Sequence, residues 1–322
     1  MTGSVVITGG CGFLGAALAK KIAENGMTLP NGRRLSNSTI HLWDIAGAAA
    51  PDLPNTVFQA IDIADPQAVM AAMPDDTVLI YHLADVVSGQ AEADYDLGMR
   101  VNLGGTNAIL AAAKARGPET IVIGTSSLAV YGHSVTEPLN EATPIQPRNT
   151  YGVTKAAAEL VMADHRRRDW CDARTLRLPT VTVRPGKPNA AASSFVSSII
   201  REPLSGECAI CPVDPTLAMW IASPMAAVNA LHHAPQVAKA DWPDFGAVNV
   251  PGLQITVQSM LDALRARAGD QVADLVRIER DDKIAAIVES WPSLFDTKIA
   301  DALGFAGDRD FDAMLDQALR MT

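Results

Sequence analysis

Hydrophobic residues along this chain gather into short unbroken runs, separated by longer stretches with helical periodicity. Ser4-Val5-Val6-Ile7-Thr8 is the first run. It lacks the polar alternation of a half-exposed strand, so it predicts a strand covered on both faces, as in a parallel sheet. Gly9, Gly12 and Gly15 punctuate the turn after it. Phe13-Leu14 then open a helix through Ala16, Leu18, Ala19 and Ile22, with Gly26 as its C-cap. Further strands are predicted at 39–43, ending in Asp44, at 57–61, ending at Asp62-Ile63, and at 78–83, 120–123 and 173–178. Asp65-Pro66 reads as an N-cap followed by proline at the first helical position. Longer helices are predicted over 93–116 and 151–168.

Strands and helices alternating this often predict an α/β fold on a doubly wound parallel sheet. In such a fold the three glycines have separate jobs: a tight turn, close backbone approach to a pyrophosphate, and close helix–strand packing. The helix N-terminus then offers N–H groups and a positive dipole end to the phosphate. Asp44 closes the second strand, beyond the usual spacing of about twenty residues, and the polar stretch 31–37 accounts for the excess. An acid here bonds the ribose hydroxyls and repels a 2′-phosphate. Ile45-Ala46-Gly47 supply no arginine to accept one. The expected cofactor is NAD.

From Pro179 the texture changes, with prolines at 179, 185, 188 and 203 and the run Asn189-Ala190-Ala191-Ala192-Ser193-Ser194 between them. Long proline-punctuated connections inside a compact domain are usually functional. Residues 1–178 are therefore expected to form an NAD-binding Rossmann domain. Residues 179–322 are expected to be mainly a substrate-binding lobe, with some segments returning to the sheet.

Composition narrows the classes. The 322 residues are 48% hydrophobic and 19% charged, enough for a sizeable core. A net charge of −10 argues against a nucleic-acid partner. Arg166-Arg167-Arg168 is the basic run, read as a solvated helix C-terminus. Four cysteines are too few and scattered for a disulfide framework, and Cys208-x-x-Cys211 is half a zinc site without its second half, so no metal is expected. No apolar stretch of membrane-spanning length and no targeting segment is apparent, so a cytoplasmic protein without a membrane partner is expected.

The chemistry centres on Tyr151 and Lys155, at i and i+4 on one helical face. A free phenol has a pKa of about 10, too high for a base at neutral pH. A nearby ammonium, with the positive nicotinamide ring, is expected to lower it. Ser127, at the end of strand five, would set its hydroxyl opposite the tyrosine so that both bond one substrate oxygen. That geometry suits taking a proton from an alcohol whose carbon gives hydride to NAD.

These pieces together resemble the extended short-chain dehydrogenase/reductase superfamily, in its NAD-dependent epimerase/dehydratase group, over essentially the whole chain. The matching segments are Thr8-Gly9-Gly10-Cys11-Gly12-Phe13-Leu14-Gly15, Asp62-Ile63, His82-Leu83-Ala84, Asn102, Ser126 through Gly132, Tyr151-Gly152-Val153-Thr154-Lys155 and Lys298 through Phe305. The resemblance implies that Ser127 and Tyr151 are catalytic and that Lys155 tunes Tyr151 and binds ribose. It implies further cofactor contacts at Gly9, Gly12, Phe13, Leu14, Asp62, Ile63, Leu83, Ala84, Ser126 and Pro179. Asn102 is counted with them, as a structural helix residue near the site. By the same analogy the helices at 93–116 and 151–168 would form a homodimer.

The departures from the family pattern bear on the substrate. Leu217 stands where sugar-nucleotide members carry the diphosphate-binding arginine, and Pro224 where they carry an aspartate. A diphosphate would there lack its charge-assisted clamp. Asp85 replaces the small apolar residue usual after Leu83-Ala84, placing a polar contact near the nicotinamide. Asp85, Ser127, Arg184, Lys187, Asn189 and Ser193 are the substrate-binding candidates, a set suited to a small polyhydroxy acid whose carboxylate a guanidinium grips. The segment Val183 through Phe195, with Met219-Trp220, resembles the D-erythronate dehydrogenase branch, implying oxidation of a four-carbon sugar acid at C2. The alternatives are a nucleotide-sugar 4-epimerase or dehydratase and, in another class, a non-catalytic dinucleotide-binding regulator.

Overall fold

The computed structural model describes residues 3–132, 137–186 and 189–320. The expected substrate contact Lys187 lies outside them. The first half of the chain is built from β1 (Ser4–Thr8), α1 (Phe13–Asn25), β2 (Ile40–Asp44), β3 (Thr56–Ala60), α2 (Pro66–Ala72), β4 (Thr77–His82), α3 (Ser88–Ala93), α4 (Tyr95–Gly98), α5 (Gly105–Arg116) and β5 (Ile121–Ser127). Next come α6 (Thr150–Arg167), β6 (Asp172–Leu178), β7 (Thr180–Val181), α7 (Phe195–Leu204), β8 (Ala209–Cys211), β9 (Ala218–Ala222), α8 (Pro224–His233) and β10 (Ala247–Asn249). The chain closes with β11 (Leu253–Thr256), α9 (Val257–Ala268), α10 (Asp270–Ala273), β12 (Val276–Ile278), α11 (Asp282–Val288), α12 (Lys298–Ala302) and α13 (Phe311–Leu319).

Seven strands form one parallel sheet in the order β10-β6-β5-β4-β1-β2-β3. β1 lies centrally with all five residues buried, which is what its unbroken apolar run requires. One face of the sheet packs Val5, Ile7, Leu42 and Leu79 against α1 and α8, through Leu18, Ile22, Val228 and Leu231. The other packs Val6, Ile80 and Val122 against α2, α5 and α6, through Val69, Ile109, Leu110 and Met162. A separate core joins α7, α9, α11 and α13 through Ile199, Ile200, Met260, Leu264, Ala285 and Leu315. It stands over the carboxyl ends of the main sheet with a small sheet β11-β9-β7 and the pair β12-β8. No helix among the described residues is long and apolar enough to cross a membrane.

Three elements differ from the periodicity, each for a local reason. The helix expected over 93–116 starts earlier, at Ser88, and breaks at Asp94, which is extended and caps Leu97 N at 3.0 Å. A wide π-helical stretch over Met99–Gly104 then leads into α5. Strand five runs on through Thr125-Ser126-Ser127, because its ladder with β6 continues to the rung Ser127↔Leu178 whatever the side chains. Finally, Arg166 is not solvated. It pairs with Asp172 in the interior, while Arg167 and Arg168 stay exposed around Asp164.

Buried charge locks α6 to the sheet. Arg177 of β6 donates to both carboxylate oxygens of Glu159, at 2.9 and 2.7 Å, and to the Tyr131 hydroxyl at 2.5 Å. Removing one member of such a pair strands the other charge. Glu159→Ala is expected to cost about 3–5 kcal/mol of stability, read by chemical denaturation; a loss below about 1 kcal/mol would place the lock elsewhere.

Candidate active site

The site lies where β1, β4, β5 and β6 end. Beyond β1, Gly9 has φ +66°, and a Cβ there would stand 2.9 Å from Ala84 N. A Cβ on Gly15 would stand 2.2 Å from the Gly9 carbonyl. The turn is therefore pressed against both β4 and the first turn of α1. The leading N–H groups of that helix have no partner within it and are left for an anion. Asp44, at the end of β2, is held beside this turn: its carboxylate accepts from Cys11 N at 3.0 Å and Ile45 N at 2.8 Å.

A chain of hydrogen bonds fixes the strand ends around the turn. Thr106 donates to Asn102 O at 2.6 Å, so its bond with His82 Nε2, at 3.0 Å, requires the ring N–H as donor. His82 Nδ1 therefore accepts from Thr8 Oγ1 at 2.9 Å, and that oxygen in turn accepts from Leu83 N and Ala84 N at 3.1 Å each. Burial, then the Lys155 charge, push His82 down to about 3, so it stays neutral.

Ser127 and Tyr151 meet as expected. Tyr151 sits in the first turn of α6, which Asn149 caps by accepting from Gly152 N at 2.8 Å. The Ser127 hydroxyl bonds the phenol and accepts from Ala129 N at 3.2 Å. Burial pushes Tyr151 up to about 12, against Ser127 and Arg184. Lys155 does not offset this. Its ammonium lies 5.6 Å from the ring, donates to Thr125 O at 2.6 Å and pairs with Asp85. Burial in turn pushes Lys155 down to about 7, with Glu159 opposing.

Asp85, Thr125, Ser127, Tyr151 and Arg184 face a cleft of about 270 Å³, which Lys155 and Asp44 do not line. Of the expected cofactor contacts, Gly9, Gly12, Phe13, Leu14, Leu83, Ser126, Tyr151 and Pro179 line it. Asp62 and Ile63 lie outside it, Asp62 exposed with Arg100 at 3.8 Å and Ile63 buried beneath Gly105. Ala84 does not line it either. Asn102, expected as a structural helix residue near the site, clips the loop after β4. It is buried, with its carboxamide committed to Val86 N at 2.7 Å and Val86 O at 3.0 Å.

Of the substrate candidates, Asp85, Ser127, Arg184 and Ser193 line the cleft. Asn189 stands back, its side-chain oxygen accepting from Ala191 N at 3.1 Å and Arg184 at 3.4 Å. Arg184 is the basic residue among the described lining residues. Burial, then the neighbouring Arg201, lower its pKa, and Arg201 donates to its carbonyl at 2.7 Å. Leu217 packs into the core of the second lobe. Sequence reasoning missed Trp291, Ser88 and Thr180, which also line the cleft. No motif marks Trp291; only the packing of the region after α11 brings it here.

The model of the NAD dependent epimerase/dehydratase family matches residues 5–220. The chain belongs to that family. D-erythronate dehydrogenase from Cupriavidus necator is 44% identical over 312 residues, 97% of this chain and 96% of that protein. The enzyme of the same name from Haemophilus influenzae is 39% identical, over 97% and 98%. A nucleoside-diphosphate-sugar epimerase from Agrobacterium tumefaciens, 34% identical, superposes with a TM-score of 0.87 over 98% of this chain and 92% of that one.

The cofactor of this family member is NAD, and the residues present fit it. The turn is a cradle that side chains at Gly9 or Gly15 would fill. The Ser126 hydroxyl, facing the cleft region, is buried without a partner in the described structure. Asp44 offers a backbone-anchored carboxylate. Charge-assisted hydrogen bonds of this kind contribute about 1.5–3 kcal/mol each, so Asp44→Ala is expected to weaken NAD at least about tenfold and to reduce discrimination against NADP. Fluorescence titration with both cofactors measures this, and an unchanged ratio would remove Asp44 from the ribose.

Proposed function

We propose that this protein is an NAD-dependent dehydrogenase of a small sugar acid, oxidising D-erythronate at C2 to 2-dehydro-D-erythronate. The charge of the cleft carries this reading. Arg184 is its basic lining residue among those described, and Leu217, which the family resemblance sets at the diphosphate-binding arginine, packs against an apolar core instead. One guanidinium matches one carboxylate in a bidentate grip. The two D-erythronate dehydrogenases, each aligned over 97% of the chain, support the same substrate.

In this reading Ser127 and Tyr151 share the oxygen of the C2 alcohol. Tyr151 takes its proton as general base, and Ser127 holds the oxygen in line. NAD, when bound, supplies the acceptor for the hydride that leaves C2. Lys155 contributes an N–H to the ribose, and Arg184 holds the carboxylate beside the reacting carbon. Because burial raises the phenol to about 12, the base form is scarce near neutral pH, so oxidation gains as pH rises. Positive charge beside the ring works the other way and brings that rise to lower pH.

A nucleotide-sugar epimerase, favoured by the Agrobacterium tumefaciens structure, would use the same proton machinery but return the hydride and release no NADH. NADH formation with four- to six-carbon aldonic acids and with UDP- and dTDP-sugars separates the two. Rapid reduction is expected with D-erythronate; isomerised nucleotide sugar without NADH would overturn the proposal. Tyr151→Phe is expected to lower kcat by about 10²–10⁴ and to leave NAD affinity within about twofold. Arg184→Met is expected to raise the KM for the acid by at least about tenfold, on the order of one charge-assisted hydrogen bond; an unchanged KM would move the carboxylate elsewhere.

A further inference from the structure

Lys155 is 5% exposed, and its ammonium has two fixed partners. Thr125 O on β5 accepts one N–H at 2.6 Å, and the Asp85 carboxylate, in the loop after β4, accepts another. An ammonium has three donors, so one N–H remains. The other titratable groups around it are committed or uncharged. Glu159 on α6 favours the charged lysine from a distance but is gripped by Arg177 of β6, His82 of β4 is held neutral between Thr8 and Thr106, and the Tyr151 phenol is engaged by Ser127 with Arg184 nearby. Asp85 is thus the carboxylate in direct contact with Lys155, and it lines the cleft while Lys155 does not.

A buried lysine sheds its proton unless a counter-charge keeps it. At Lys155, burial already works strongly in that direction. An alanine at position 85, in line with the small residue usual there, would leave Lys155 without its contact partner.

We propose that Asp85 is a positioning residue of this site: its carboxylate favours the ammonium form of Lys155, anchors it beside Thr125, and leaves one N–H for the cofactor ribose. The inference rests on the reading of Lys155 as the partner of Tyr151 in an alcohol dehydrogenase. It assigns Asp85 to the lysine rather than to the substrate. The pair also explains why the phenol receives so little help from a lysine four residues away.

The test is the titration of Lys155 without substrate. In protein labelled at lysine 13Cε, the Lys155 resonance is assigned by its loss in Lys155→Met. Its midpoint is expected to fall by at least about one pH unit, a tenfold change in proton affinity, in Asp85→Asn and to return in Asp85→Glu. Calorimetry should then show the pH above which NAD affinity drops moving down together with the Lys155 midpoint in Asp85→Asn, since the ribose loses a charge-assisted donor once the lysine is deprotonated. Asp85→Ser, smaller, serves the same purpose if the asparagine variant does not fold. An unshifted Lys155 midpoint in these variants overturns the proposal. A shifted midpoint in a protein that oxidises no sugar acid would instead sink the proposed function and leave Asp85 with its role.

Discussion

Charge buried beneath α6 must meet a partner, and the geometry of the site follows from where those partners are. Tyr151, Lys155 and Glu159 are spaced four residues apart down one face of that helix. Glu159 is gripped by Arg177, and Arg177 sits on the rung of the β5–β6 ladder directly opposite Ser126. The ion pair therefore sets the height of α6 against the rungs that carry Ser126 and Ser127. An apolar contact of the same area would tolerate a slide of an ångström or so; a bidentate guanidinium–carboxylate fork does not. The phenol meets the serine because the far end of the same helix face is pinned.

The opposite wall of the cleft is organised by close approach of backbone rather than by charge. Gly9 and Gly15 bring the first turn, β4 and α1 within distances no side chain would allow. The Thr8–His82–Thr106 chain then satisfies the strand ends that this crowding would otherwise strand, and a histidine in that role must stay neutral. One wall thus presents backbone N–H groups and the other a hydroxyl pair. Arg184 stands on the third side, with Arg201 as a near neighbour of like charge.

Much of this was legible in the sequence because it is local. The strand–turn–helix opening, the Asp65 cap, the Gly26 cap and the Tyr151–Lys155 spacing depend on residues a few positions apart, and they stand as read. What was not legible depends on contacts between distant segments. Asp94 breaks a helix that periodicity made continuous, since an aspartate caps or rides within a helix according to where the chain must turn. Strand five runs through three hydroxyl-bearing residues because β6 pairs with them. Arg166 looks like its two exposed neighbours until Asp172 is brought beneath it. The phenol was read from a helix pair, whereas the lysine of that pair is engaged by a third residue, Asp85, from another loop. Trp291 enters the cleft from more than a hundred residues beyond its nearest catalytic neighbour in sequence, and nothing local announces it.

The path of the backbone after β6 has a mechanical consequence. The chain leaves the main sheet at Leu178, builds β7 and β9 above it, returns as β10 to pair with Thr175, Leu176 and Arg177, and departs again to pair β11 with β9. The two layers are stitched together rather than joined by one strap. Each ladder lies within one layer, so any movement of one layer against the other has to bend the connections after β6 and β10 together. The two walls of the cleft are thereby coupled through more than one crossing of the chain, rather than through a single linker.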